Sequence, residues 1–131
     1  MNTPLKQTRV ILTAAFMASI VIHGMLVVIM ARQSSTAPAN FPQIGRGICY
    51  TVAAAGLLTS IYWTLVKLPA AVGPQRFQTE MIVALALAEI CSIAGLFLFF
   101  ASHAPADFWP FGGGALLVQG LFILPRVLER D

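Results

Sequence analysis

The sequence predicts an all-α integral membrane protein, a four-helix bundle built as two tandem helical hairpins. Two observations carry that reading. The chain of 131 residues is 58% hydrophobic and only 10% charged, where a soluble domain carries about 25% charged residues. Its apolar residues also fall in four blocks, at about 10–31, 47–68, 81–102 and 108–124, each close to the roughly 20 residues that span a bilayer core. The stretches between them are too short to fold alone, so residues 1–131 form a single transmembrane domain.

The first block follows Lys6 and Arg9 and precedes Ala37-Pro38-Ala39, which resembles a signal cleavage site. Its apolar run is much longer than the about 7–15 residues of a signal h-region, so a retained helix is expected. The linker Arg32–Arg46 is rich in Ser, Pro and Gln, and Pro38 and Pro42 exclude a helix through it. The second block is followed by a Pro/Gly-punctuated connection, Pro69–Gln78, with Thr79 as expected N-cap of the third helix and Glu80 in its first turn. The third connection is tight and holds Pro105 and Pro110, and Pro125 is expected to close the fourth helix.

Charge gives orientation. The net charge of +3 comes from basic residues spread over helix ends, without the patch and interleaved aromatics of a nucleic-acid surface. With the N-terminus inside, Lys6, Arg9, Lys67, Arg76, Arg126 and Arg130 lie inside, and only Arg32 and Arg46 outside. The positive-inside rule therefore places both termini in the cytoplasm, and the expected location is a bacterial inner membrane. Tyr50, Phe108 and Trp109 serve as outer interfacial anchors, with Tyr62 and Trp63 nearer the inner one. Cys49 and Cys91 fall at depths that differ by roughly 12 Å at 1.5 Å per residue, so no disulfide is expected.

An internal repeat aligns Ala53-Ala54-Ala55-Gly56-Leu57-Leu58 with Gly112-Gly113-Gly114-Ala115-Leu116-Leu117. This register sets Ser60 opposite Gln119 and Lys67 opposite Arg126. Ala18-Ser19-Ile20 aligns more weakly with Ala88-Glu89-Ile90. The competing explanation is that any two apolar segments look alike.

Glu89 lies in the middle of the third block, where a carboxylate costs a few kcal/mol unless it faces protein, finds partners or carries ions. Ala84, Ala88, Cys91, Ser92 and Gly95 form a small-residue stripe at spacings of three and four. Such a stripe lets helix backbones approach, and Gly56 and Gly113 are expected to do the same on their own helices. Glu89 borders the stripe and so points at a helix contact. Polar residues at similar depth are Gln119, Thr59, Ser60, Ser19 and His23. The predicted proton site comprises Glu89, Gln119, Ser60, Thr59 and Ser92. Two readings stay open: a reversible proton site, or a neutral acid that glues helices by hydrogen bonds. His23 and His103 sit at different depths, which argues against a haem held between them. No Cys/His metal spacing, catalytic triad, phosphate loop or dinucleotide fingerprint occurs, so neither cofactor nor metal nor catalysis is expected.

Ala86-Leu87-Ala88-Glu89, followed by Gly95-Leu96, resembles the ion-carrying helix of the proteolipid (c) subunits of rotary ATP synthases and ATPases. The resemblance covers mainly the third helix. It implies a hairpin fold with a proton-binding carboxyl at Glu89, and Ser19 would take the acid position of a first repeat. Ala94 and Ile90 stand where Na⁺-binding members offer hydroxyls, so the implied ion is H⁺.

The function expected from these readings is a small non-catalytic subunit of a larger energy-transducing or transport complex, with other integral membrane subunits and the lipid bilayer as partners. The alternatives are a proton-translocating proteolipid in a rotary ring and a small homo-oligomeric transporter.

Overall fold

The computed structural model describes residues 4–33 and 42–130. Helix α1 spans Pro4–Gln33, α2 Gln43–Tyr62, α3 Pro74–Ser102, α4 Trp109–Val118 and α5 Leu124–Glu129. A π turn, Trp63–Lys67, extends α2, and a second, Gln119–Ile123, joins α4 to α5 into one rod. Among the described residues four helices are long and apolar enough to cross a membrane. By length and composition this is a multi-pass membrane protein.

The helices outrun the apolar blocks at the charged end. There α1 begins at Pro4 and α3 at Pro74 rather than near residues 10 and 81. Polar side chains do not end a helix when its backbone bonds can continue into the interface. Thr79 is consequently not an N-cap: its hydroxyl donates to the Gln75 carbonyl at 3.1 Å inside the helix. The start is set by Gly73, at φ +85°, where only glycine is unstrained. Pro74 follows as first helical residue, its missing N–H costing nothing there. The other end of α3 is closed by His103 in the left-handed region, its N–H bonded to the Phe99 carbonyl at 2.7 Å.

Pro125 does not close the fourth rod, which runs on to Glu129. A proline in a helix interior removes one bond and clashes with the carbonyl four residues back. The wide turn Gln119–Ile123 lies just ahead of it and takes up the mismatch. The expectations for Pro38 and for Ala37-Pro38-Ala39 concern residues outside those described. Pro42 precedes α2, as expected of a helix-excluding residue.

α3 is the most buried of the four membrane helices and α1 the least. It meets each of the others, α2 most extensively. Ala84, Ala88, Cys91, Ser92 and Gly95 are all buried. A methyl added at Gly95 would collide with Phe111, and one at Gly56 would come within 2.9 Å of the Leu87 carbonyl oxygen. Gly113 breaks the pattern. It is exposed, with nothing within 4 Å of an added methyl; a methyl at Gly112 would come within 2.6 Å of the Phe108 ring on its own rod, and the approach to another helix falls to Gly114, where a methyl would lie 3.2 Å from Leu57. Consecutive residues sit about 100° apart on a helix, so a run of three glycines cannot all face one neighbour. Cys49 and Cys91 are buried and free.

Polar straps close both ends. At one, the Arg46 guanidinium donates to Asp107 at 2.6 Å, joining the two hairpins. At the other, the guanidinium groups of Arg9 and Arg130 each lie 4.7 Å from the centre of the buried Phe77 ring. They donate to the carbonyls of Pro74 and Ala71 respectively. Trp63 and Arg76 both donate to the buried Glu80 carboxylate.

Candidate functional site: a carboxyl between the hairpins

Ser19 and His23 stand four residues apart on α1, and Glu89 and Ser92 three apart on α3, so each pair projects from one helix face. Where these faces meet, the Ser19 hydroxyl donates to Glu89 Oε1 at 2.7 Å. His23 Nδ1 lies 3.0 Å from Ser92 Oγ and 3.8 Å from the same carboxyl oxygen. From the fourth rod, Gln119 Nε2 reaches Glu89 Oε2 and the Leu85 carbonyl, each at 3.4 Å. Gln119 is fully buried at the first position of the π turn, and its Oε1 has no hydrogen-bond partner among the described residues.

Three of the five predicted proton-site residues are thus gathered: Glu89, Gln119 and, through His23, Ser92. Ser60 is buried but donates to the Ala84 carbonyl at 2.7 Å, bracing α2 on α3. Thr59 faces outward and bonds within its own helix to Ala55 at 2.6 Å. Ser60 and Thr59 are neighbours on a helix and cannot share a face. The predicted set omitted Ser19 and His23. The signal for them was their spacing of four, which puts both on one face of α1 as the spacing of three does for Glu89 and Ser92 on the facing helix.

The carboxyl is not sealed. A groove of about 290 Å³ between α1 and α3, lined by Ala15, Phe16, Ser19 and Glu89, leads to it. The Glu89 side chain keeps 12% of its surface exposed. Within the four apolar blocks the only titratable side chains away from the ends are His23, Glu89 and Cys91. Cys91 turns instead to the Phe111 carbonyl at 3.3 Å. An ionised Glu89 therefore meets neutral donors from Ser19 and Gln119, with His23 as the one group able to match its charge. A protonated Glu89 removes the charge outright. Either state costs less than a bare carboxylate in hydrocarbon.

Among the described residues no group of three or more His, Cys, Asp or Glu is placed to hold a metal ion. A comparison with known proteins finds no family that fits the sequence, no similar curated protein and no similar solved structure.

Proposed function

We propose that this protein is a small non-catalytic subunit of a larger membrane complex, and that Glu89 binds and releases a proton within it. The observation that carries the reading is the placement of Glu89. It lies mid-span, bonded from α1 and faced from the fourth rod, yet open to a groove. A purely structural acid would gain nothing from that opening. The sparse burial of α1 supports partner helices, because much of its apolar surface is left for other membrane subunits or lipid.

Lys6, Arg9, Lys67, Arg76, Arg126 and Arg130 fall at the helix ends that share a side with both termini. By the positive-inside rule this side is the cytoplasm, and the membrane is a bacterial inner membrane. The proteolipid-like stretch around Glu89 favours a second reading, a proton-translocating ring.

The test is the mass and composition of the assembly extracted gently in lipid particles. A fixed ratio to non-identical chains is expected. Multiples of a single 14.1 kDa chain would replace the accessory subunit with a ring or homo-oligomeric transporter. Infrared difference spectra of wild type against Glu89→Gln test the proton directly: a carboxyl band that titrates is expected, and a band unchanged across pH would sink the proton site.

A further inference from the structure

We infer that the groove at Glu89 is a binding site for a lipophilic organic cation, a permanent positive charge on an apolar body, which exchanges for the proton. This inference rests on the reading of Glu89 as an exchangeable acid.

The groove is lined by one carboxyl, one hydroxyl, the Phe16 ring and the Ala15 methyl. The Ser19 hydroxyl donates to Glu89 Oε1 and offers a ligand only the lone pairs of one oxygen. An incoming cation thus finds a negative edge, an aromatic wall and almost no other oxygen. That poorly suits a hard metal ion, which requires about six or more oxygen ligands. It suits a quaternary ammonium or phosphonium, which needs no inner ligand shell and is attracted by aromatic faces. The groove opens sideways at mid-span, where a cation dissolved in the bilayer can enter directly. Gln119 Nε2 holds the carboxylate from the fourth rod, and the Ser19 hydroxyl holds it from the groove wall.

The exchange balances simply. Protonated Glu89 and a free cation become the carboxylate–cation pair and one released proton. No bond other than O–H breaks, and the net charge of the site stays constant. His23 on α1 is the titratable group facing Glu89 from a neighbouring helix. Gln119 faces it from the fourth rod, and α2 carries no titratable residue between Tyr50 and Tyr62. Protonated His23 would oppose a second cation. Acid therefore weakens binding twice, through Glu89 and through His23.

The experiment uses the full chain in lipid nanodiscs with tetraphenylphosphonium as probe, measured by equilibrium dialysis. Saturable binding that weakens as pH falls is expected, with one proton released per cation bound in weak buffer. Glu89→Gln, nearly isosteric, should lose the saturable component. Phe16→Leu, which keeps an apolar wall, should weaken binding by about tenfold, the equivalent of 1.4 kcal/mol. Absence of saturable binding to wild type overturns the inference, and so does undiminished binding to Glu89→Gln. The infrared carboxyl band separates the two failures. A band that titrates without cation binding removes the ligand and leaves the proton site. A silent band removes both.

Discussion

Ser19 and Glu89 occupy aligned positions in the two hairpins, one a hydroxyl on the least buried membrane helix, the other a carboxyl on the most buried. In the structure they touch. Ser60 and Gln119, the other aligned pair, donate to the adjacent α3 carbonyls of Ala84 and Leu85. The first contact is of the kind a pseudo-twofold between hairpins produces; the second is not, because such an axis would carry the α2–α3 contact onto the fourth rod and α1, whereas both side chains meet α3. The asymmetry is equally informative. The second hairpin carries the core and the acid, whereas the first lends α2 as a brace and α1 as an open wall. A membrane protein can place a costly group on the helix with most protein around it and leave the access route to the helix with least.

That contrast can be broken at defined points. The largest effect is expected from Gly95→Leu. The added side chain must displace Phe111, and overpacking of this kind costs about 1–3 kcal/mol or more. Its counterpart Gly113→Leu faces open space and should unfold in denaturant like wild type. A comparable loss at both glycines would refute the assignment of the second hairpin's packing face.

Glu89→Ala comes next. It strips an acceptor from Ser19 and Gln119 at once and should cost about 1–3 kcal/mol in reversible unfolding, the range for leaving buried polar groups unsatisfied. Glu89→Gln should recover most of that loss, because an amide can still accept from Ser19. Equal losses would mean that charge, not hydrogen bonding, holds the hairpins together.

Within the first hairpin, Ser60→Ala should cost about 1 kcal/mol, since it removes a buried donor to Ala84. Thr59→Ala one residue away should fall within about 0.5 kcal/mol of wild type, being exposed and bonded only to its own helix. The smallest effect is expected at the Arg46–Asp107 strap. Arg46→Gln should lower the melting temperature slightly at low salt and less at high salt, because salt screens an ion pair that is only half-buried. A salt-independent loss there would mean that the strap acts through packing.

The four spans, the burial of Ala84, Ala88 and Gly95, and the inward turn of Glu89 were legible because each follows from composition or helical spacing. Helix ends were not, since Thr79 has good N-cap chemistry while Gly73 and Pro74, six and five residues earlier, had the stronger backbone reason. Thr59 was misplaced with Ser60 because depth along a helix axis is easily counted but facing direction is not. Ser19 and His23 were recognised as lying at the right depth, yet their membership depends on which face α1 turns to α3, and an almost uniformly apolar helix offers little pattern to fix that.

The wide turn Gln119–Ile123 has one more consequence. Ala115, Gln119, Ile123 and Val127 are all buried, at a strict spacing of four. On a regular helix that spacing drifts about 40° per step, so the last side chain would point some 120° away from the first. A π turn holds an additional residue and cancels much of the drift. In evolutionary language it is the footprint of a single-residue insertion. Removing Gly120 should restore an ordinary helix and swing the Leu124–Glu129 end of the rod out of phase with everything before it. The orientation of Gln119 toward the acid thus depends on the length of the chain, not only on its letters.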